Sequence, residues 1–371
     1  MKTRILCAAV TALALALPAA VRADDTASQE LMVNGHGMGM VQAHGPVPIG
    51  VMGDHMHRAG EWMISVRATH MYMAGNRIGT DGIDPSTIVT TVPNRFFGIA
   101  GQPATLRIVP LNMTTDMLMF GAMYAPTDGF NLMVMAPWLD KQMEAATFAG
   151  VAGDAELGRS TMTSTGWGDL KAAGLVRLWD GHGQHAHLNL GVSVPTGSID
   201  NVDTMLAPNG TLMTARLPYA MQLGSGTWDL MPGLTYTGRS GSYGWGAQAT
   251  AVVRTGQNSE GYRLGDEQQL SIWGSRDWAP WISNSLWVTG RHVDSIHGID
   301  PLIVAPVQGA NPDFYGGDTV NVGFGIALAA QEGWLRGQRL DLTLALPVYQ
   351  DLNGPQLETD YVASLNYKYA W

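Results

Sequence analysis

Methionine and histidine recur at close spacing near the start of this chain. GHGMGM sets His36, Met38 and Met40 two residues apart, DHMH sets His55 and His57 around Met56, and HMYM offers Met71 and Met73. In extended backbone, residues two apart point to the same side, so each run presents its side chains together. Thioethers are poor ligands for hard ions and good ones for Cu(I), while imidazole suits Cu(II), Ni and Zn. A site that captures a soft metal would have this composition. Of 21 methionines, 16 lie at or before Met143, and that skew turns attention to the elements that carry them.

Residues 1–23 read as a secretory leader. Lys2 and Arg4 precede an apolar run from Ile5 to Leu17, and Val21 and Ala23 occupy the small-residue positions before a cleavage point. The only cysteine, Cys7, falls in this leader, so the expected mature chain has no thiol or disulfide. Lys2, Arg4 and Arg22 leave as well, so 18 basic side chains face 31 acidic ones. That balance argues against a nucleic-acid partner. Beyond the leader no apolar run approaches the roughly 18 residues of a spanning helix. Charged residues make up only 14% of the chain and glycines number 46. An exported chain of this kind is a secreted β-protein or an outer-membrane barrel.

Period-two alternation favours the barrel. In RLDLTLALPV, Leu340, Leu342, Leu344 and Leu346 share one parity, against Asp341, Thr343 and Ala345. QHAHLNLGVSV and TVNVGFGIALA behave alike. The terminal DYVASLNYKYAW puts Tyr361, Ala363, Leu365, Tyr367, Tyr369 and Trp371 on one face. Such an aromatic last strand resembles the signal read by the barrel-assembly machinery. The expected architecture is an all-β, transmembrane antiparallel β-barrel of about twelve strands in the outer membrane of a Gram-negative bacterium. Outer-membrane lipid and lipopolysaccharide are then its surroundings. Strands are expected at 60–74, 113–125, 130–143, 165–178, 184–197, 223–237, 243–256, 264–278, 281–294, 317–330, 337–348 and 358–371. Short turns alternate with the longer connections 75–112, 144–164, 198–222 and 295–316, as in bacterial barrels. Trp62, Trp138, Trp228, Trp278, Trp281 and Trp287 fall near strand ends, as interfacial girdles require. Residues 24–59 fit no strand and read as a Met/His/Gly-rich periplasmic arm or a plug, with the barrel running over 60–371.

Three stretches, PIGVMGDHMHRAGEWM, LGSGTWDLMPGLTY and LPVYQDLNGPQLETD, together resemble the outer-membrane transporters of the MetA-pathway phenol-degradation type. The resemblance spans about Pro48 to Trp371. It implies a barrel-shaped transporter but supplies neither a substrate nor site residues. The Met/His-rich start is also similar in composition to outer-membrane copper-resistance proteins, although their long repeated tracts are absent.

Strand parity places the methionines. With Trp62, Ile64, Val66 and Ala68 facing lipid, Met63, Met71 and Met73 point inward. With Leu118, Phe120, Ala122 and Tyr124 outward, Met117, Met119 and Met123 point inward, and Leu132, Val134, Ala136 and Trp138 do the same for Met133 and Met135. The candidate metal ligands are therefore His36, Met38, Met40, His55, Met56, His57, Met63, Met71, Met73, Met117, Met119, Met133 and Met135. Three readings of this wall stay open. Methionine fills irregular gaps, it binds soft metal, and it lines a path for hydrophobic solutes. The leading expectation is a small-solute channel handling Cu(I) or another soft metal as ligand or cargo. The alternatives are a channel for hydrophobic or aromatic compounds linked to their degradation, and a closed structural barrel. No resident cofactor is expected. G-x-S-x-G, H-E-x-x-H and cysteine-based sites are all missing from the sequence, so no catalytic residue is assigned. Asp351, Glu358 and Asp360 read as a solvated loop with strand caps, or as a cation funnel.

Overall fold

A computed structural model describes residues 45–371. The expected leader and residues 24–44, with His36, Met38 and Met40, lie outside the described residues. The wall strands are β1 (Trp62–Gly79), β2 (Ile108–Thr127), β3 (Phe130–Phe148), β4 (Glu156–Trp167), β5 (Leu170–Gly181), β6 (Gln184–Val194), β7 (Asp229–Ser240), β8 (Tyr243–Arg254), β9 (Glu267–Ala279), β10 (Ile282–Val293), β11 (Gly317–Ala329) and β12 (Gln338–Ala370). Each pairs antiparallel with its neighbours, and β12 closes the ring on β1. Apart from the outer side of β4, which pairs only with β3, closure leaves no free edge among these strands, as a sheet in lipid requires.

In two places, strand and pass do not correspond one to one. β4 pairs with the Trp138–Phe148 half of β3 and β5 with the Phe130–Met135 half, so together they make one pass. β12 pairs with β11 through Arg339–Leu352 and with β1 through Leu352–Ala370. The Thr343 and Ser364 hydroxyls meet at 2.6 Å across it, so this element is a hairpin and supplies two passes. The ring thus has twelve passes.

Alternation is what drives this closure. On β12, Leu340, Leu342, Leu344 and Leu346 are exposed on the outside, while Asp341, Thr343 and Ala345 are buried inside. Leu118, Phe120, Leu132 and Val134 also face out. An apolar outer band around a mixed interior is what lipid selects. Trp62, Trp167, Trp228, Trp278 and Trp281 are exposed near strand ends, while Trp138 is exposed midway along β3, which runs on to Phe148. Trp287 departs from the sequence expectation, being buried inside the barrel. Leu286 and Val288 take the lipid side of β10, which forces the residue between them inward. Gly323 faces Trp287 and Gly246 faces Trp273 in register, and a Cβ at either glycine would collide with the indole. Glycine there makes room for the rings.

The strands of the first hairpins run further than the sequence reading placed them. β1 reaches Gly79, β2 starts at Ile108 and β3 continues to Phe148. They do so because the loops at that end fold into a cap that buries the strand ends. Met113, Met143, Met162, Met205, Leu217, Tyr219, Met221, Tyr262 and Ile303 form its main apolar cluster, with Met73 packed against it. Arg107 is fully buried and donates to the carbonyls of Ala149 (2.6 Å) and Gly153 (2.7 Å), pinning one loop to another. Beside it the short helix α1 (Pro85–Thr91) buries Ile88 and Val89 against Val109, Ala146 and Phe148.

Candidate functional site

The segment from Gly45 to Ala59 lies inside the barrel as a plug. It has no regular secondary structure, so its backbone groups need partners from the wall. Ser285 donates to the Pro46 carbonyl. Gln248 Nε2 donates to the Met52 carbonyl (2.8 Å) and His187 Nε2 to that of Gly53 (2.8 Å). Asn131, with its amide turned to satisfy both ends, accepts from the His57 N–H (2.6 Å). These wall residues are all inward by parity on β3, β6, β8 and β10. Val51 packs between Trp273, Trp287 and Ala345. The plug is thus seated by polar anchors on several sides and one aromatic cradle.

Its other contact is made of sulfur. Met123, Met133, Met135 and Leu175 form a buried cluster, with Met52 and Met56 of the plug and Met63 and Met119 of the wall packed against it. The inward parity read from the sequence holds for every one of these wall positions. Among the candidate ligands, the structure brings together Met56, Met63, Met119, Met133 and Met135. Met117 and Met71 stand half-buried higher on the same wall, and Met73 joins the cap. One band of thioethers on β1, β2 and β3 therefore runs from the plug to the cap.

The two plug histidines are arranged differently. Their rings meet edge to face at 4.9 Å. His55 Nδ1 contacts Asp54 at 2.9 Å and His57 Nδ1 contacts Glu61 at 3.3 Å, so each imidazole faces a carboxylate of its own. His57 is buried, and its Nε2 has no hydrogen-bond partner among the described residues. Burial and the neighbouring His55 push its pKa down to about 4. Burial alone would raise the Asp54 carboxyl, but the charges of His55, Lys368 and Arg339 hold it well below the usual carboxylate range. Among the described residues no group of three or more His, Cys, Asp or Glu side chains is placed to hold a metal.

Charged side chains line the interior between plug and cap. Arg254 binds Asp229 (2.5 Å) and Glu267 (3.0 Å), and Arg291 binds Glu267 (2.6 Å). At the end of the wall away from the cap, near Asp54 of the plug, Asp341 is held by Arg339 (2.6 Å) and Lys368 (3.6 Å). Lys141 is tied to the carbonyls of Ala220 (2.8 Å) and Gln222 (2.6 Å) and so anchors the cap. Sequence reasoning missed this polar framework and the role of Met52 and Met123. The signal was present, since all of these wall charges fall on the inward parity of their strands.

No family model matches this chain, and no curated protein is similar enough to count as a relative. Solved structures do match. An outer membrane channel from Pseudomonas putida F1 is 12% identical over 87% of this chain and 100% of its own, with a TM-score of 0.54. The P. putida toluene transporter TodX is 11% identical over 84% of this chain and 90% of its own, with a TM-score of 0.43. A Pseudomonas aeruginosa FadL homologue is 10% identical over 84% and 90%, with a TM-score of 0.40. The first likeness is one of fold. The outer-membrane barrel implied by the three sequence stretches is the fold that this chain adopts.

Proposed function

We propose that this barrel is an outer-membrane channel for small hydrophobic or aromatic solutes. One observation carries the reading: the thioether band on β1–β3 connects two apolar seals, the plug contact and the cap cluster. A hydrated ion moving along that band must shed water against groups that offer it no hydrogen bonds. An apolar solute loses nothing there and gains dispersion contact with polarizable sulfur. The soft-metal alternative moves behind it, because the plug histidines are engaged with separate carboxylates and the methionines pack against one another.

The test uses whole cells, whose intact outer membrane excludes N-phenylnaphthylamine. Expression of the barrel should speed entry of this probe and leave entry of a disaccharide unchanged. Met119→Glu with Met135→Glu, which charges the band, should abolish the gain. Faster disaccharide entry with unchanged probe entry would overturn the reading.

A further inference from the structure

Two inward cations stand apart from the ion pairs that line this interior. Arg67 and Lys171 have neither a hydrogen bond nor an ion pair among the described residues, only longer-range interactions with charges around them. The nearby inward carboxylates are already engaged. Asp229 and Glu267 are held by Arg254 and Arg291, and Asp341 by Arg339 and Lys368. Asp54 is bonded to His55, while Asp169 accepts from Ser225 (2.8 Å) and Gly197 (2.9 Å). The whole chain carries a formal charge of −10, yet the uncommitted charges on this stretch of wall are positive. Half-buried cations without partners are costly, so their retention needs a reason.

Their position supplies one. Arg67 on β1 is the register partner of Met119, and Lys171 on β5 is the partner of Met135. Side chains so paired lie within contact distance on one face. β1, β2, β3 and β5 are consecutive around the ring, so the two cations flank the thioether band across three strand spacings, about 14 Å along the wall. Both side chains point inward from this wall and are long, Arg67 within electrostatic range of Asp341 and Asp54, and Lys171 within range of Glu267, Asp169 and Asp229. The result is a methionine face, covered at Met119 and Met135 by Met52 and Met56 of the plug and bordered on both sides by positive charge.

We infer that this wall recognises an amphipathic anion, an aromatic carboxylate, with its ring on Met117, Met119 and Met135 and its carboxylate between Arg67 and Lys171. The inference rests on the proposed channel function and narrows its solute class. A neutral hydrocarbon uses the band alone. A carboxylate uses the band and forms charge-assisted bonds, which are about twice as strong as neutral ones. Arginine suits this role because its planar fork matches a carboxylate in two places.

The experiment titrates 4-fluorobenzoate into the full-length barrel in zwitterionic detergent, read by fluorine NMR, with 4-fluorobenzyl alcohol as the neutral counterpart. The intact protein should bind benzoate saturably and more tightly than the alcohol. Arg67→Gln and Lys171→Gln should each weaken benzoate about tenfold, and the double variant should bind both compounds alike. Arg67→Lys with Lys171→Arg keeps the charges and should keep most of the benzoate affinity, and heat-modifiable migration on gels establishes that each variant folds. Equal binding of benzoate and alcohol by the intact protein would overturn the inference, as would full benzoate affinity in the folded double variant. Should the glutamine variants not fold, equal affinity for the two compounds in the intact protein is the deciding result. Failure here with N-phenylnaphthylamine entry intact removes only the anion site. Arg67-dependent benzoate binding without probe entry removes the hydrophobic channel and leaves the site.

Discussion

Acid should loosen the plug through His57. This imidazole is seated neutral, with its pKa pushed down to about 4 by burial and His55, against an ordinary value of 6.5. A base whose seated pKa lies below its released pKa binds protons more readily when released. Its contribution to seating is therefore complete above about pH 6.5 and is lost as pH falls toward 4. Between pH 7 and pH 5 that linkage removes about 1.8 kcal/mol, a factor of about 20 in the seated-to-released ratio. Asp54 does not offset it, since its carboxyl is held well below the usual range and stays charged at pH 5. The mature chain lacks cysteine by expectation, so a single thiol can report the opening. Val51→Cys sits in the Trp273–Trp287 cradle, and Glu332→Cys, exposed at a turn on the opposite side of the strand ends from the cap, serves as the reference. The ratio of their labelling rates cancels the pH dependence of the thiol itself. It should rise by about 20-fold from pH 7 to pH 5 and stay flat in a His57→Gln background. An unchanged ratio, or an equal rise in the His57→Gln protein, would refute the reasoning.

Three further outcomes are expected. Trp371→Asp should impair membrane insertion far more than Lys368→Ala, because it removes an exposed indole stacked on Tyr369 and puts a charge in its place, whereas Asp341 keeps Arg339 when Lys368 is lost; equal heat-modifiable yields would count against this. Asp84→Cys at the cap end should label with an impermeant reagent on whole cells while Gly181→Cys, at a short turn, should not, and the reverse pattern would invert the barrel. Replacing Met117, Met119, Met133 and Met135 together by Leu should leave a folded barrel at under about 1.5 kcal/mol per site, with probe entry and Cu(I) or Ag(I) binding unchanged; a loss of metal binding would restore the soft-metal reading.

The barrel wall was legible because one physical rule acts along its whole length. Lipid on one side and a packed interior on the other impose a period of two, and Leu340 to Leu346 or Leu118 to Tyr124 display it without ambiguity. The ends of β1–β3 were not legible, because the cap buries them and alternation there no longer tracks the membrane boundary. Trp287 misled for a related reason: an indole satisfies the girdle pattern on either face, and only the outward parity of Leu286 and Val288 and the glycine opposite it, Gly323, separate the two. Arg67 and Lys171 were visible as inward residues, but whether a charge is paired depends on neighbours far away in sequence.

The methionine skew now has a mechanical account. The strands rich in inward methionine, β1 to β3, are those against which Met52 and Met56 of the plug rest, while of the polar anchors only Asn131 is on β3 and His187, Gln248 and Ser285 come from later strands. An interface of Leu or Ile would lock into one set of rotamers. Thioether chains have three rotatable bonds and repack at low cost. For the channel proposed above, directional bonds mainly from the later strands hold the plug, and the deformable sulfur surface of β1 to β3 can repack around a passing solute. The position of the sulfur in this chain follows that division.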